Sequence, residues 1–89
     1  MDTLFGEGVY LTTLDPKYKT KYEIAQNNYD AGWRQGLAEG KIDCYLKISI
    51  PDSQVKQAPS DRDIYIFPNA DINLDNYSWT SGEVWNDQI

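Results

Sequence analysis

Three kinds of residue in this chain could do chemistry together: a glycine pair, a tyrosine on a strand and a carboxylate. Gly6 and Gly8 lie one residue apart and feed the run Val9-Tyr10-Leu11-Thr12, which stops at Asp15-Pro16. Glycine reaches positive φ and lets another group approach the main chain, while Val, Tyr and Thr favour an extended strand. Such a loop can offer backbone to a ligand, and a tyrosine on the strand that follows makes it a candidate ligand platform. The competing reading is a turn or bulge whose Tyr10 is a half-buried strand aromatic, since an isolated Gly-x-Gly is a weak motif. Asp63 opens a second apolar run, Ile64-Tyr65-Ile66-Phe67. A carboxylate at the start of a strand can accept hydrogen bonds from a ligand and stabilise positive charge that develops in a transition state. It can equally pair with Arg62 or cap a turn. Glu83 is the other acidic candidate, but it falls in TSGEVWNDQI, which reads as a flexible tail and fixes a catalytic group poorly.

The elements that must hold these groups follow from periodicity. Tyr18, Tyr22, Ala25 and Tyr29 are spaced by three and four, which predicts a helix over residues 16–28 with its tyrosines in packing or in ligand contact. Asn27-Asn28-Tyr29 ends it with residues that tolerate turn geometry. Gly32, Gly36 and Gly40 each weaken a helix by about 1 kcal/mol relative to alanine, so DAGWRQGLAEGK reads as a loop or one frayed turn. Arg34 within it could meet a phosphate, or sit solvated beside Trp33. Residues 42–50 alternate cleanly, with Ile42, Cys44, Leu46, Ile48 and Ile50 on the face expected to meet a core. Residues 51–61 are polar with two prolines and read as an exposed connection, either plain linker or recognition loop. Residues 63–67 form a second strand with Ile64 and Ile66 inward, and residues 71–79 a third. The expectation is one α+β domain over residues 1–89, with a small, mainly antiparallel sheet and one or two helices.

Composition narrows the function classes. Fourteen Asp and Glu against eight Lys and Arg give a net charge of −6, which argues against binding a phosphate backbone non-specifically. A small anionic ligand is not excluded, because local backbone N–H groups can hold a pyrophosphate. Cys44 is the sole cysteine, so there is no intramolecular disulfide and no Cys-cluster zinc site. Its place in an alternating strand predicts a small buried hydrophobe rather than a reactive thiol. No apolar run approaches the roughly 20 residues of a spanning helix, and the start lacks a basic-then-apolar signal pattern. The expectation is a soluble chain without membrane partners, a cytoplasmic site being favoured. Twelve aromatics spread along 89 residues argue for a folded domain.

The run FGEGVYLTTLDP, residues 5–16, resembles the donor loop and second-signature strand of the ADP-ribosyltransferase superfamily. Poly-ADP-ribose polymerase domains carry Gly-x-Gly-Ile/Val-Tyr-Phe there, followed by a helix. More similar still is the toxin-type ADP-ribosyltransferase-like domain named for a His-Tyr-Asp signature, with Gly-x-Gly-Val-Tyr-Leu-Thr and then Pro. RDIYIFPNADINLDNYSW, residues 62–79, resembles the polymerase pattern in which an acidic residue opens a strand that an Asn-Leu-containing strand follows. The resemblance covers most of residues 4–79 and is specific mainly in 5–16. It implies a partial ADP-ribosyltransferase-like fold that takes NAD as substrate. Gly6 and Gly8 would present backbone to the nicotinamide amide and ribose, Tyr10 would stack on the nicotinamide ring, and Asp63 would hold the ribose. Tyr10 and Asp63 are then the catalytic candidates. The family's first signature residue is a histidine on an earlier strand, and this chain has none. The resemblance therefore implies a domain truncated at its amino-terminal end, with mono-ADP-ribosyl transfer weak or absent unless an upstream segment completes it. The acceptor expected is protein rather than nucleic acid. The alternative is a non-catalytic interaction module of the same fold, self-associating through the strand edge that the missing strand would cover.

Overall fold

A computed structural model describes residues 6–68 and 71–84. They form an α+β fold of five strands in two small antiparallel sheets with two α-helices. Strand β1 (Val9–Leu11) pairs antiparallel with β4 (Tyr65–Phe67), in the register Val9 with Phe67, Tyr10 with Ile66 and Leu11 with Tyr65. The two-residue strand β3 (Lys56–Gln57) lies on the other side of β4, so β4 is central and β1 is an edge. The second sheet is a ribbon of β2 (Cys44–Ile48) and β5 (Trp79–Glu83), with Cys44 opposite Glu83 and Ile48 opposite Trp79.

Helix α1 spans Lys21–Tyr29, several residues later than periodicity predicts. Two local devices set that start. The Asp15 carboxylate accepts from the Lys17 N–H at 2.9 Å and the Asp15 carbonyl from the Tyr18 and Lys19 N–H groups, which makes residues 15–19 a turn. Thr20 and Glu23 then form a capping box: the Glu23 N–H donates to Thr20 Oγ1 at 3.1 Å and the Thr20 N–H to Glu23 Oε1 at 3.2 Å. Tyr18 therefore stands outside the helix and is exposed, while Ile24 and Ala25 are buried.

The glycine-rich segment corrects the loop expectation. A 3₁₀ turn at Asp30–Gly32 leads into helix α2, Trp33–Ala38. Packing overrides propensity here: Gly36 is buried, and a Cβ on it would meet the Tyr29 ring at 3.1 Å, so glycine lets the two helices close on each other. Trp33 meets Tyr22 edge to face at 5.8 Å. Gly40, with φ +77°, ends the helix in a Schellman motif, the Gly40 N–H donating to the Leu37 carbonyl and the Lys41 N–H to that of Gly36.

The β2 strand forms, but its faces are reversed from the expectation. Cys44 is exposed and Leu46 is 52% exposed, whereas Tyr45 packs on the cluster of Ile24, Ala25, Ile42 and Val84. The reason is the partner strand: Tyr45 lies opposite Gly82, and a Cβ there would fall 2.9–3.0 Å from the tyrosine ring and hydroxyl. The ring occupies the space left by a glycine side chain and carries that face onto the helices. Ile42 reaches the core from the turn before the strand.

Three further expectations are corrected. Within the connection 51–61, β3 forms and Ala58 is buried, its N–H donating to the Ile64 carbonyl at 2.9 Å. Residues 71–79 are not one strand: the Asn73 side chain accepts from the Asp75 N–H and opens a 3₁₀ turn at Leu74–Asn76. The supposed tail instead supplies β5 through Glu83, and the Val84 N–H extends the ladder to the Asp43 carbonyl. Residues 85–89 of that tail lie outside the described residues. The β4 segment also buries both faces, with Ile64, just before the strand, on one and Phe67 on the other.

Candidate functional site

A cleft of about 720 Å³ opens between the β1 segment and β2, within the size range of small-molecule sites. One wall carries Tyr10, Thr12 and Leu14, the other Cys44, Leu46 and Ile48. Tyr45 and Lys47 from the other face of β2 and the core residues Ile24 and Ile42 line the cleft as well. A smaller hollow of about 360 Å³ adjoins Tyr45, Lys47 and Thr80.

The glycine pair has two separate roles. Gly6, with φ +100°, faces open space, and its carbonyl accepts from the Tyr10 hydroxyl at 2.5 Å. Gly8, with φ +148°, is pressed against β4, where a Cβ would lie 2.6 Å from Ile66 Cγ2 and 2.7 Å from the Phe67 carbonyl oxygen. The Gly8 position is thus explained by strand packing, while the Tyr10 hydroxyl closes a small loop on Gly6; Tyr10 lines the cleft, and Gly6 and Gly8 are not among its lining residues.

Asp63 is not among the residues lining the cleft. Oδ1 accepts from the Thr13 N–H at 2.7 Å and from Thr12 Oγ1 at 3.1 Å, and Oδ2 from Thr13 Oγ1. Its backbone is held equally firmly: the Asp63 N–H donates to Asn27 Oδ1 at 2.7 Å, and Asn27 Nδ2 donates to the Asp63 carbonyl at 2.8 Å. Arg62 Nη1 donates to the Asn27 carbonyl at 3.1 Å. The end of β1, the approach to β4 and the last turn of α1 are thereby latched together around one carboxylate. Tyr10 and Asp63 are not brought to a common point in the cleft. Asn27 is the residue that sequence reasoning passed over: its amide satisfies both backbone groups of Asp63 as a neighbouring strand would, where the Asn-Asn pair signalled only a helix end.

The remaining candidates fall elsewhere. Glu83 lies on β5, fixed by its pairing with Cys44, and lines the smaller hollow. The Arg34 guanidinium stacks on Trp33 at 4.4 Å from the ring centre. Three carboxyls have lowered pKa values, Glu39 among them through the hydrogen bond from the Gln35 side chain. Asp15 is held down first by the Lys17 N–H and then by the Lys47 charge, and Glu23 first by the Thr20 N–H. Among the described residues no cluster of three metal-ligating side chains is present, and no helix is long and apolar enough to cross a membrane. The chain matches no family model, no curated protein and no solved structure.

Proposed function

We propose that this chain is an ADP-ribosyltransferase-like domain that engages NAD in the cleft, with transfer activity weak or absent. The observation that carries the reading is the position of Tyr10. It follows a positive-φ glycine, has its hydroxyl fixed on Gly6 and lines a cleft of ligand size. A tyrosine so anchored is a ready stacking surface for nicotinamide. The low activity rests on two facts. The chain has no histidine to orient the ribose, and Asp63, the group to steady the developing oxocarbenium charge, is engaged with Thr12 and Thr13. Losing preorganised groups of this kind costs a few kcal/mol of transition-state stabilisation.

Backbone amide NMR during NAD titration tests the reading. Saturable shifts at Gly6, Gly8 and Tyr10, abolished by Tyr10→Ala in a folded protein, support it. A folded spectrum unmoved by millimolar NAD overturns it.

A second reading, a self-associating interaction module, is favoured by two other observations. The outer edge of β1 has no strand partner among the described residues, and Leu46 and Trp79 are exposed on one face of the β2–β5 ribbon. Open edges and apolar sheet faces recruit other chains. Sedimentation across a concentration series that returns only monomer removes this alternative.

A further inference from the structure

The two hollows share a wall. Asp15, Pro16, Tyr45 and Lys47 line both, and Lys47 Nζ reaches Asp15 Oδ2 at 3.5 Å across the boundary. The Lys47 side chain is 68% exposed, and an ion pair in such a setting contributes little to stability. Asp15 does not depend on it, because its other oxygen already accepts from the Lys17 N–H at 2.9 Å. An ammonium on a flexible stem, loosely held between two cavities, can turn to an anion that bridges them. The smaller hollow holds two lysines, Lys17 and Lys47, against two carboxylates, Asp15 and Glu83. Its charges balance, so beyond the boundary it offers an aromatic ring, Tyr45, and a hydroxyl, Thr80, rather than net charge. That chemistry suits an uncharged nucleoside better than a second phosphate.

Building on the reading that the larger cleft takes the nicotinamide half of NAD, we propose that Lys47 binds the pyrophosphate at the boundary. Lys47 exchanges Asp15 for the ligand, and the smaller hollow takes the second nucleoside. The ligand class is therefore a dinucleotide pyrophosphate, long enough to occupy both hollows, and Lys47 is its specificity determinant. Asp15 acts as the built-in competitor that holds the ammonium until the ligand arrives.

Amide NMR titration of the wild type, Lys47→Ala and Asp15→Asn with NAD and with nicotinamide riboside, which lacks phosphate, separates the steps. NAD is expected to move both Tyr10 and Thr80, and nicotinamide riboside Tyr10 alone. Lys47→Ala should weaken NAD about tenfold, the effect of one exposed charge-assisted contact, and leave nicotinamide riboside unchanged. Asp15→Asn keeps an acceptor for the Lys17 N–H but releases Lys47, and should tighten NAD about twofold. If Tyr10 shifts saturate but Lys47→Ala binds NAD as the wild type does, this inference falls and the cleft reading stands. If neither ligand moves Tyr10 in the wild type, both fall.

Discussion

Removing the Asp63 carboxylate should loosen the whole junction between β1, β4 and α1. Asp63→Ala deletes the acceptor for the Thr13 N–H at 2.7 Å, for Thr12 Oγ1 at 3.1 Å and for Thr13 Oγ1. A hydrogen bond to a charged group contributes about 1.5–3 kcal/mol, and less where water can replace it. Thr13 is exposed and Thr12 half-buried, so the three together should stabilise the fold by about 2–3 kcal/mol. In a domain of this size 1 kcal/mol moves Tm by about 4–8 °C, which puts the expected fall at roughly 8–24 °C. Asp63→Asn keeps the shape and one acceptor and should cost about 1 kcal/mol. Asn27→Ala removes the paired bonds to the Asp63 backbone and should cost about 1–2 kcal/mol. The double variant should cost less than the sum, because both side chains hold the same junction. Urea unfolding followed by far-UV circular dichroism, with thermal melts alongside, measures the four variants against the wild type. If Asp63→Ala stays within about 0.5 kcal/mol of the wild type, within the range of an ordinary surface change, the latch is refuted and the carboxylate is available to a ligand after all.

Two other outcomes follow from local geometry. Gly8→Ala places a Cβ 2.6 Å from Ile66 Cγ2 and should cost about 3 kcal/mol, against about 1 kcal/mol for Gly6→Ala, which meets open space; equal melting losses would show that the β1–β4 approach is not the tight one. The lowered pKa of Glu23 comes chiefly from the Thr20 N–H, so the ionised form is favoured in the folded state. Its stabilisation is present above the usual carboxyl range, near pH 4, and is lost as pH falls through the folded value. Glu23→Gln should flatten melting temperature against pH between about 3 and 5, whereas Thr20→Ala should lower it by the equivalent of about 1 kcal/mol at neutral pH. An unchanged acid profile in Glu23→Gln would remove the capping box from the account.

What was legible in the sequence followed from patterns that one segment carries alone. The alternation of residues 42–50, the β-branched and aromatic run at 64–67 and the glycine entry to β1 each give their element and the α+β class. What was missed depends on a partner elsewhere in the chain. Whether Cys44 or Tyr45 faces the core is decided by Gly82 on β5, and alternation assigns two faces without saying which is buried. Helix α2 tolerates Gly36 in its interior because the Tyr29 ring packs where a Cβ would stand, while Gly32 and Gly40 fall at its ends. The Thr20–Glu23 box and the Schellman glycine were present as local signals, Thr-x-x-Glu and a glycine after Leu-Ala-Glu, and were outweighed by the tyrosine periodicity and the glycine count. For the candidate site, the glycine entry to β1 and the place of Tyr10 on that strand were visible in the sequence, whereas the use of Asp63 was not. A carboxylate's acceptors are chosen by whatever the fold brings beside it, here Thr12 and Thr13 from the far end of the chain.

The Asn27 amide bears on the order in which the chain assembles. Helices α1 and α2 close on neighbours in sequence, but Val9 must find Phe67 and Cys44 must find Glu83. Distant pairings bring their loop-closure entropy before any contact rewards it, so the sheets should lag the helical hairpin. When the segment of Asp63 arrives, Asn27 can already stand on a formed helix as a template strand of one residue, ready to take both backbone groups of Asp63. Refolding of Asn27→Ala should then slow by about the factor its stability loss implies, with unfolding little changed; acceleration of unfolding alone would place that docking after the barrier.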